Sequence, residues 1–373
     1  DGGLLGGAYS KQDTSYAKFE WVASPGDSST NEMRLGVFQD RIATIPGVST
    51  LSTGKLGINL AGSAIGATNI DPGLMRERRY QFVDNFRLSW GAHTFLIGTD
   101  ILRTRDWIDM RPNAYGTYDY SSLTAFAQDL SAGGKNYTDY TQSLRYSLRR
   151  VPTSEMGLYA QDVWRVTPNL QITAGLRYSK QFLPKAFAWD ASYYQTRSIK
   201  SPSYNADPRI GLALKANETT VFRASFGMFH TMASGELVDA LLLGNGAYQP
   251  SITAYPTIGT APSFPNYLTS TKAASGIGDL LYQYGKPSNP YTRQISASIE
   301  KYVGHGFTMN LGYMGATGIK LFAAEEVNLQ ETTKKVTYAV HDLDGAKTDT
   351  YQTYFWRYRL YNTRAPVYQV GNG

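Results

Sequence analysis

The alternation of apolar and polar residues over positions 155–181 limits this chain to a fold built from β-strands. Residues 170–179 alternate strictly, and residues 155–166 do the same apart from a break at Asp162. A period of two is typical of a strand with one apolar and one polar face. The Thr-Pro-Asn sequence at 167–169 favours a turn, so the two halves are predicted to form a hairpin. Each strand is close to the roughly 9–11 residues that a tilted β-strand needs to cross a bilayer.

The same alternation recurs along the chain and predicts a series of hairpins. They lie near residues 15–40, 79–104, 155–181, 207–230 and 291–322. The connections between and after them are predicted to be long loops, at residues 41–78, 105–154, 182–206, 231–290 and 323–365. Short turns and long loops therefore alternate. This places the short turns at one end of the strands and the long loops at the other.

This order of connections is typical of outer-membrane barrels, which have short periplasmic turns and long outer loops. A Greek-key sandwich gives no reason for it. We therefore predict an all-β fold, an antiparallel up-and-down transmembrane β-barrel, with about ten membrane strands present here. The apolar faces would meet lipid, and the faces that carry Gln, Arg, Ser and Gly would line a wet interior. Alternation alone leaves open a soluble all-β protein whose apolar faces form a core.

Composition agrees with a wet and apolar interface better than with a typical cytosolic enzyme. Aromatic residues make up 13% of the 373 residues, with 28 Tyr, whereas charged residues make up only 18%. The net charge of +6 is spread thinly, without a basic run, so nucleic acid is not a predicted partner. No transmembrane helix is predicted, because no run of about 18 apolar residues exists. The opening residues show no signal peptide.

Side chains that carry catalysis or bind metals are sparse. Cysteine is absent, and the four histidines, His93, His230, His305 and His341, do not form a zinc motif. Residues 342–345 resemble part of a calcium loop but lack its closing glutamate, so a solvated turn is favoured. Neither a nucleophile elbow nor a phosphate-binding loop is present. We predict no catalytic residue, no metal site, no cofactor and no enzyme activity.

Aromatic residues of the long loops are the candidates for ligand binding, because their rings stack on sugars, peptides or chelates. The candidates are Trp107, Tyr115, Tyr118, Tyr120, Trp189, Tyr193, Tyr194, Tyr248 and Tyr255, with Tyr282 and Tyr284 beside them. The alternative is that these rings form an aromatic girdle or pack the loops on one another. Arg177, Arg209 and Arg223 are predicted to face the lumen, where they would meet a plug or an anionic ligand, or pair with carboxylates such as Asp162.

A series of short motifs resembles the TonB-dependent outer-membrane receptors, especially their Oar-like branch. The motifs are QDVWR at 161–165, GLRY at 175–178, PRIG at 208–211, RASFGMF at 223–229, NPYTRQ at 289–294 and GYMGATGIKL at 312–321. They occur in the order that the family shows, and the resemblance covers roughly residues 81–373.

The resemblance implies a barrel of about 22 strands, a plug domain inside it, and a TonB box that couples to the inner-membrane motor. It also implies an N-terminal β-domain. None of these N-terminal parts can be read here, so we expect an internal part of the barrel, without plug, N-terminal domain or closing strands. An open sheet in lipid leaves unpaired edges that cost several kcal/mol per group. The last residues, 367–373, are predicted to begin the next barrel strand.

The function that this resemblance implies is a ligand-gated, TonB-energised import receptor in the outer membrane of a Gram-negative-type bacterium. Its partners would be outer-membrane lipid, the TonB complex through the plug and TonB box, and an unknown imported ligand. One alternative is a surface barrel for adhesion or envelope organisation without transport. A second is a soluble carbohydrate-binding β-protein.

Overall fold

The structure is a computed structural model, which describes most of the chain. The residues described are 8–46, 56–60, 63–66, 73–109, 113–143, 149–185, 194–245, 251–257, 261–269, 280–285, 287–341, 347–358 and 367–372. The strands within them are β1 Ala8–Gly26, β2 Ser29–Pro46, β3 Gly57–Leu60, β4 Ser63–Gly66, β5 Gly73–Trp90, β6 His93–Asp109, β7 Thr117–Tyr120, β8 Asp139–Ser143, β9 Arg149–Thr167, β10 Leu170–Phe182, β11 Ala206–Asn217, β12 Thr220–His230, β13 Ser251–Ala254, β14 Leu280–Gln283, β15 Tyr291–Gly304, β16 Phe307–Ile319, β17 Phe322–Glu326, β18 Leu329–His341, β19 Lys347–Tyr358 and β20 Val367–Asn372. The helices are α1 Leu123–Ala132 and α2 Gly235–Leu243.

Ten long strands form one antiparallel sheet in the order β1-β2-β5-β6-β9-β10-β11-β12-β15-β16. Every strand pairs with the long strand that precedes it in sequence, so the topology is up-and-down. The pairs joined by short turns share one end of the sheet, and the long connections share the other. The predicted antiparallel fold class is confirmed. Among the described residues, β1 and β16 are the two edges and do not pair with each other.

The short turns use residues that accept left-handed backbone geometry. Gly91 has φ +57° in the turn between β5 and β6, and Gly304, His305 and Gly306 have φ +96°, +53° and +82° in the turn between β15 and β16. Apart from glycine, only asparagine, aspartate and histidine adopt this geometry with any frequency, which makes glycine the natural choice there and is compatible with His305. The position of each turn fixes the register of its hairpin, and with it the face on which every side chain lies.

The ten strands change in length across the sheet. The first five have 17 to 19 residues, and the last five have 11 to 14. A membrane-spanning strand needs only about 9–11 residues. The extra residues lie at the long-connection end, because the short turns are level in the register. The first five strands therefore extend well beyond the bilayer, into stretches that the sequence pattern assigned to loops.

Three of the long connections fold together into a second sheet, with the order β13-β8-β7-β3-β4. We call this sheet, together with α1 and the segment around Phe264, the outer subdomain. Its core consists of Tyr118, Tyr120, Tyr137, Tyr140 and Phe264 with aliphatic neighbours such as Ile58 and Ile252. Residues 41–78, 105–154 and 231–290, which the sequence analysis gives as long outer loops, therefore contain short strands of their own. Strands of four or five residues are too short to show a period, and β3 pairs in parallel with β7 about sixty residues away in sequence.

Two smaller sheets come from the last third of the chain. β14, β20 and β17 form one, and β18 pairs with β19 in the other. The prediction that residues 367–373 begin the next barrel strand is wrong, because β20 lies between β14 and β17 in the small sheet. A six-residue alternating stretch fits any sheet, and only its partners decide which one. No helix in the described part of the chain is long and apolar enough to cross a membrane.

Candidate functional site

The long sheet has one apolar face that remains exposed. Leu176, for example, is 53% exposed, and it shares its face with Ala160 and Pro208 on the neighbouring strands. Exposed apolar side chains recur on this face along the whole sheet: Phe19, Trp21, Leu35, Val37, Tyr80, Phe86, Ile97, Ile101, Leu158, Ile210, Leu212, Phe222, Phe226, Ile295, Leu311 and Tyr313. A continuous apolar surface of this extent is not a soluble surface. It is the surface that a barrel presents to lipid.

The opposite face is polar, and the structure places all three candidate arginines on it. The guanidinium carbon of Arg177 lies 5.3 Å from the ring centre of Tyr159, and its Nη2 lies 3.4 Å from Oδ2 of Asp100. Its Nε donates to the Ser179 hydroxyl at 3.0 Å. Gly157 lies beneath the guanidinium, since a Cβ there would come within 2.3 Å of Arg177 Nη2. A glycine on the neighbouring strand therefore lets the Arg177 side chain lie flat on the sheet.

Arg209 and Arg223 have different environments on the same face. Arg209 stacks on Phe229, with 4.6 Å from its guanidinium carbon to the ring centre. It lines, together with Arg177, Tyr159 and Asp100, an open hollow of about 400 Å³. Arg223 instead pairs with Glu300 at 2.9 Å.

Asp162 is not a partner of these arginines, which corrects one of the options raised from the sequence. Its position in β9 puts it on the apolar face beside Trp164, because residues two apart in a strand share a face. There Asp162 lies 2.7 Å from Nδ1 of His93, near the short-turn end. The His93 ring is stacked against Phe95 and Trp164, each with 5.5 Å between ring centres. The carboxylates that face Arg177 and Arg223 are Asp100 and Glu300.

Two of the candidate ligand-binding aromatics are core residues of the outer subdomain. Tyr118 is 0% exposed and Tyr120 is 3% exposed. Burial raises the pKa of both hydroxyls well above the ordinary range, with neighbouring Tyr and Asp129 groups adding to the effect. The Tyr120 hydroxyl donates to Asp129 at 3.0 Å, and the Tyr118 hydroxyl donates to the carbonyl of Asn266. In this conformation neither ring can stack on a ligand, and both pack the loops on one another.

The remaining aromatic candidates are dispersed. Tyr284 and Tyr255 are 61% and 43% exposed, whereas Tyr282 is buried in the small sheet. Trp107 is half-buried beneath Arg78, and Tyr115 meets Tyr267 edge to face. Trp189, Tyr193 and Tyr248 lie outside the described residues, and so does the side chain of Tyr194, whose backbone begins a short 3-10 turn. The structure does not bring the described candidates together into one aromatic surface.

A segment within the predicted loop 231–290 lies on the polar face at its outer end. We call residues 231–243, which include α2, the strap. Val238 and Leu242 of α2 are 0% and 1% exposed and pack against Ile108 and Val151, which point from β6 and β9 toward the polar side. Fully burying each of these side chains stabilises the docked position by roughly 1.5–3 kcal/mol.

Hydrogen bonds hold the first residues of the strap to the wall. Gln181 of β10 is 1% exposed; its amide donates to the carbonyl of Ala233 at 2.9 Å and accepts from the Ala233 N–H at 3.1 Å. Asp207 of β11 accepts from the N–H of His230 at 3.0 Å, one residue before the strap begins. Met232 lines a second hollow of about 250 Å³, together with Arg177 and Arg209.

The carboxyl group of Asp106 lies beside the start of α2. Its Oδ1 is buried and has no hydrogen-bond partner among the described residues. Burial, and the carboxylates of Glu77 and Asp239, raise the pKa of Asp106 to about 6, while Arg79 opposes the shift. This residue lies near the outer end of β6, beyond the part of the strand that spans the bilayer.

The strap had a sequence signal that the β-strand pattern obscured. Ser234 accepts from the N–H of Leu237, which is the N-cap interaction of α2. Leu237, Val238, Leu241 and Leu242 then follow at helical spacing. Gln181 gave no such signal, because a polar residue on the polar face of a strand is expected there in any case.

Comparison with known proteins agrees with this geometry. The family model described as an outer membrane beta barrel domain matches residues 9–372. The chain is similar to the outer membrane transporter YddB from Escherichia coli, with a TM-score of 0.54, 12% identity, 98% of this chain covered and 38% of that one. It is also similar to the F3-3 variant of the FrpB iron transporter from Neisseria meningitidis, with a TM-score of 0.50, 12% identity, and 98% and 39% covered. No curated protein matches the chain.

At 12% identity, these structural similarities establish the fold of the chain and not its substrate. The chain spans well under half the length of the solved structures that it matches. The predicted outer-membrane localisation is confirmed, and the soluble carbohydrate-binding alternative is excluded. The exposed apolar face, the polar face and the matched family model agree, and the chain belongs to the family of outer membrane β-barrel domains.

Proposed function

We propose that this chain is the barrel portion of a ligand-gated import receptor of the TonB-dependent, Oar-like kind. In this proposal the outer loops capture a ligand, and the TonB complex supplies energy through a plug domain and a TonB box. The ligand then moves along the polar face of the sheet. Residues of the chain bind and guide the ligand, and no covalent bond is made or broken.

The observation that carries the proposal is the charged polar face beneath a docked strap. Arg177 and Arg209 line hollows on this face, and Met232 of the strap lines one of them. An adhesin acts through its outer surface and does not need charged side chains on an inner wall. The fold similarity to two transporters supports the same conclusion.

The ligand contacts that we propose are Arg177 and Arg209 on the wall and the exposed rings of Tyr255 and Tyr284 outside. Guanidinium groups bind carboxylate and phosphate oxygens well, because their N–H groups form a planar fork. The Arg209 guanidinium lies against the ring of Phe229 and that of Arg177 against the ring of Tyr159, which positions both forks on the wall. An anionic ligand therefore suits this face better than a cationic one.

Deletion of the complete gene in its host tests the proposal. Uptake of labelled ferric citrate, cobalamin and a set of oligosaccharides is compared between the deletion strain, the complemented strain and complemented cells treated with a protonophore. We expect uptake of at least one compound to depend on both the gene and the proton gradient. Unchanged uptake of every compound, with altered attachment of cells to surfaces, would favour the structural alternative instead.

A variant pair links this test to the polar face. Arg177→Gln removes the guanidinium from the hollow, and we expect it to lower gene-dependent uptake by about tenfold, the loss of one charged hydrogen bond. Arg41→Gln makes the same change of charge in β2 at an exposed pair with Asp13, so it should leave uptake unchanged. Equal effects of the two variants would remove Arg177 from the proposed path.

A further inference from the structure

The lipid-facing side of the sheet changes character at its outer end. On β5, the exposed aromatic residues of this side begin with Trp90 beside the short turn and end with Tyr80. The distance between these two is about eleven residues, which is one crossing of a bilayer by a tilted strand. β5 continues beyond Tyr80 as far as Gly73. This outward-facing surface beyond Tyr80 therefore lies outside the hydrocarbon and beside the headgroups of the outer leaflet.

The register of the long strands shows what replaces the apolar residues there. Phe82 of β5 lies opposite Ile101 of β6, in an apolar row across the sheet. Two rows further out, Arg78 lies opposite Arg105 on the same side of the sheet. The change from apolar to charged therefore takes place within four residues, or about 13 Å at about 3.3 Å per residue. The arginines beyond the apolar rows are Arg76 and Arg78 of β5, Arg103 and Arg105 of β6, and Arg150 of β9, and we call these five the outer basic patch.

Neutral side chains position the guanidinium groups of the patch. Nε of Arg78 donates to Oε1 of Gln39 at 2.9 Å, and its guanidinium carbon lies 5.6 Å from the ring centre of Trp107. The guanidinium carbon of Arg105 lies 5.9 Å from the ring centre of Tyr80. These contacts orient the groups but do not neutralise their charge.

Like charges face one another within and beside the patch. Arg78 lies directly opposite Arg105, and Arg76 lies directly opposite Arg41 of β2. Like charges directly opposite each other on neighbouring strands destabilise a sheet. An anion that binds between the strands would remove this repulsion.

The surrounding protein supplies few anions on this side. On the described part of this surface the acids are Asp13, whose Oδ2 lies 3.8 Å from Nη1 of Arg41, and Asp109, which already has an interaction. The polar side of the sheet differs at the same height, because Arg79 there pairs with Glu77 at 2.7 Å. The excess of positive charge therefore faces the membrane and not the interior.

We propose that the outer basic patch binds the phosphate groups of a glycolipid in the outer leaflet. Guanidinium groups form forked hydrogen bonds with phosphate oxygens. Clusters of basic residues beside a membrane span commonly bind anionic headgroups. The acyl chains of the same lipid would lie against the apolar rows that include Phe82 and Ile101. Trp107 then supports Arg78 in this site, and the proposal does not depend on import.

Titration of the purified complete protein with lipid A, a diphosphorylated glycolipid, tests the proposal. The protein is held in uncharged dodecyl maltoside micelles, and native mass spectrometry measures the bound lipid. Arg76→Gln/Arg78→Gln removes two charges from the patch, and we expect it to weaken lipid A binding at least tenfold. Arg79→Gln/Arg87→Gln removes two charges from the polar side of the same strand and should leave binding unchanged. Equal binding by the patch variant and the unchanged protein would overturn the proposal.

Other ligands identify the chemical group that is recognised. Lipid A from which both phosphates have been removed should bind at least tenfold more weakly, and equal binding would overturn phosphate recognition. Inorganic phosphate in large excess should not displace lipid A, because it has no acyl chains. Displacement by inorganic phosphate would mean a site for soluble anions, and displacement by poly-glutamate would mean an acidic partner protein. Either result would overturn the glycolipid as the ligand.

Thermal unfolding of the same proteins in detergent separates loss of binding from loss of folding. Without lipid A, the patch variant should unfold at the same temperature as the unchanged protein or higher, because like-charged neighbours are removed. With lipid A, the unfolding temperature of the unchanged protein and of the Arg79→Gln/Arg87→Gln control should rise, because a ligand stabilises the folded state that binds it. An equal rise for the patch variant would overturn the proposal.

Discussion

Gln142 provides the sharpest test of the outer subdomain, because one buried side chain joins three of its segments. It is 1% exposed and makes four hydrogen bonds. Its Oε1 accepts from the Tyr140 hydroxyl at 2.6 Å and from the Leu268 N–H at 2.9 Å, and its Nε2 donates to the carbonyls of Ala114 at 2.6 Å and Leu268 at 2.9 Å. Gln142→Leu keeps the approximate volume and removes all four bonds.

The expected loss of stability follows from the groups left without a partner. The Tyr140 hydroxyl and the Leu268 N–H lose their principal acceptor, and a buried donor without a partner costs about 1–3 kcal/mol. The loss is therefore about 2–6 kcal/mol for the subdomain. Every 1.4 kcal/mol is a factor of ten, so even the lower figure raises the population of the locally open state about 30-fold.

Hydrogen exchange followed by mass spectrometry measures this effect in the full chain in detergent. Peptides from residues 117–143 should lose protection by about 30-fold or more, whereas peptides from 155–181 in the barrel wall should keep theirs. Gln128→Leu on the exposed side of α1 is the matched control and should change neither. Unchanged protection of 117–143, or an equal loss in the wall, would refute the assignment of Gln142 as the link between outer loops.

Three further predictions concern the wall and the strap. The raised pKa of Asp106 means that the docked strap favours the protonated carboxyl. Protection of the backbone amides of residues 235–243 against hydrogen exchange, corrected for intrinsic exchange, should therefore fall as the pH rises from about 4 to about 6. Asp106→Asn should remove this pH dependence, and a wild type whose protection does not change with pH would contradict the prediction. Gly157→Ala should displace Arg177 from Asp100, which the side-chain NMR signals of the arginine would report, and should change the free energy of unfolding by less than about 1 kcal/mol. Gly211→Ala is the control, because a Cβ added there lies 3.9 Å from its nearest neighbouring atom. Unchanged Arg177 signals in Gly157→Ala would show that the geometry of Arg177 is misassigned. Leu176→Arg should lower barrel stability in lipid by up to about 4 kcal/mol, and Thr173→Arg on the polar face by much less; equal losses in denaturant titrations would contradict the lipid-facing assignment.

The alternation of residues was sufficient to predict the fold class, because face and turn are local properties of a strand. Leu176 and Arg177 are neighbours in sequence, and their period alone separates them onto two faces. Register within a hairpin follows from its turn. These features do not depend on residues far away in the chain, and they could therefore be predicted from a single sequence.

Partners across the sheet could not be read in this way. Arg177 meets Asp100 over a separation of 77 residues, and the parity of Asp162 argued against its pairing with an arginine only once the faces were known. The outer subdomain was missed for the same reason. The TYDY sequence of β7 alternates over only four residues, and the burial of Tyr118 and Tyr120 depends on Phe264 and Ile252 from a loop more than a hundred residues later.

Because the strands differ in length, the outer ends of the strands, which we call the rim, stand at different heights across the sheet. The long strands exceed the short ones by about six residues, or roughly 20 Å at about 3.3 Å per residue. The outer ends of β1, β2, β5, β6 and β9 therefore stand higher on the sheet than those of β11, β12 and β15. The strap starts from the end of β12, on the lower part of the rim, and reaches the taller strands β6 and β9. The strap therefore runs on the polar face from the lower part of the rim to the higher part and bridges the two.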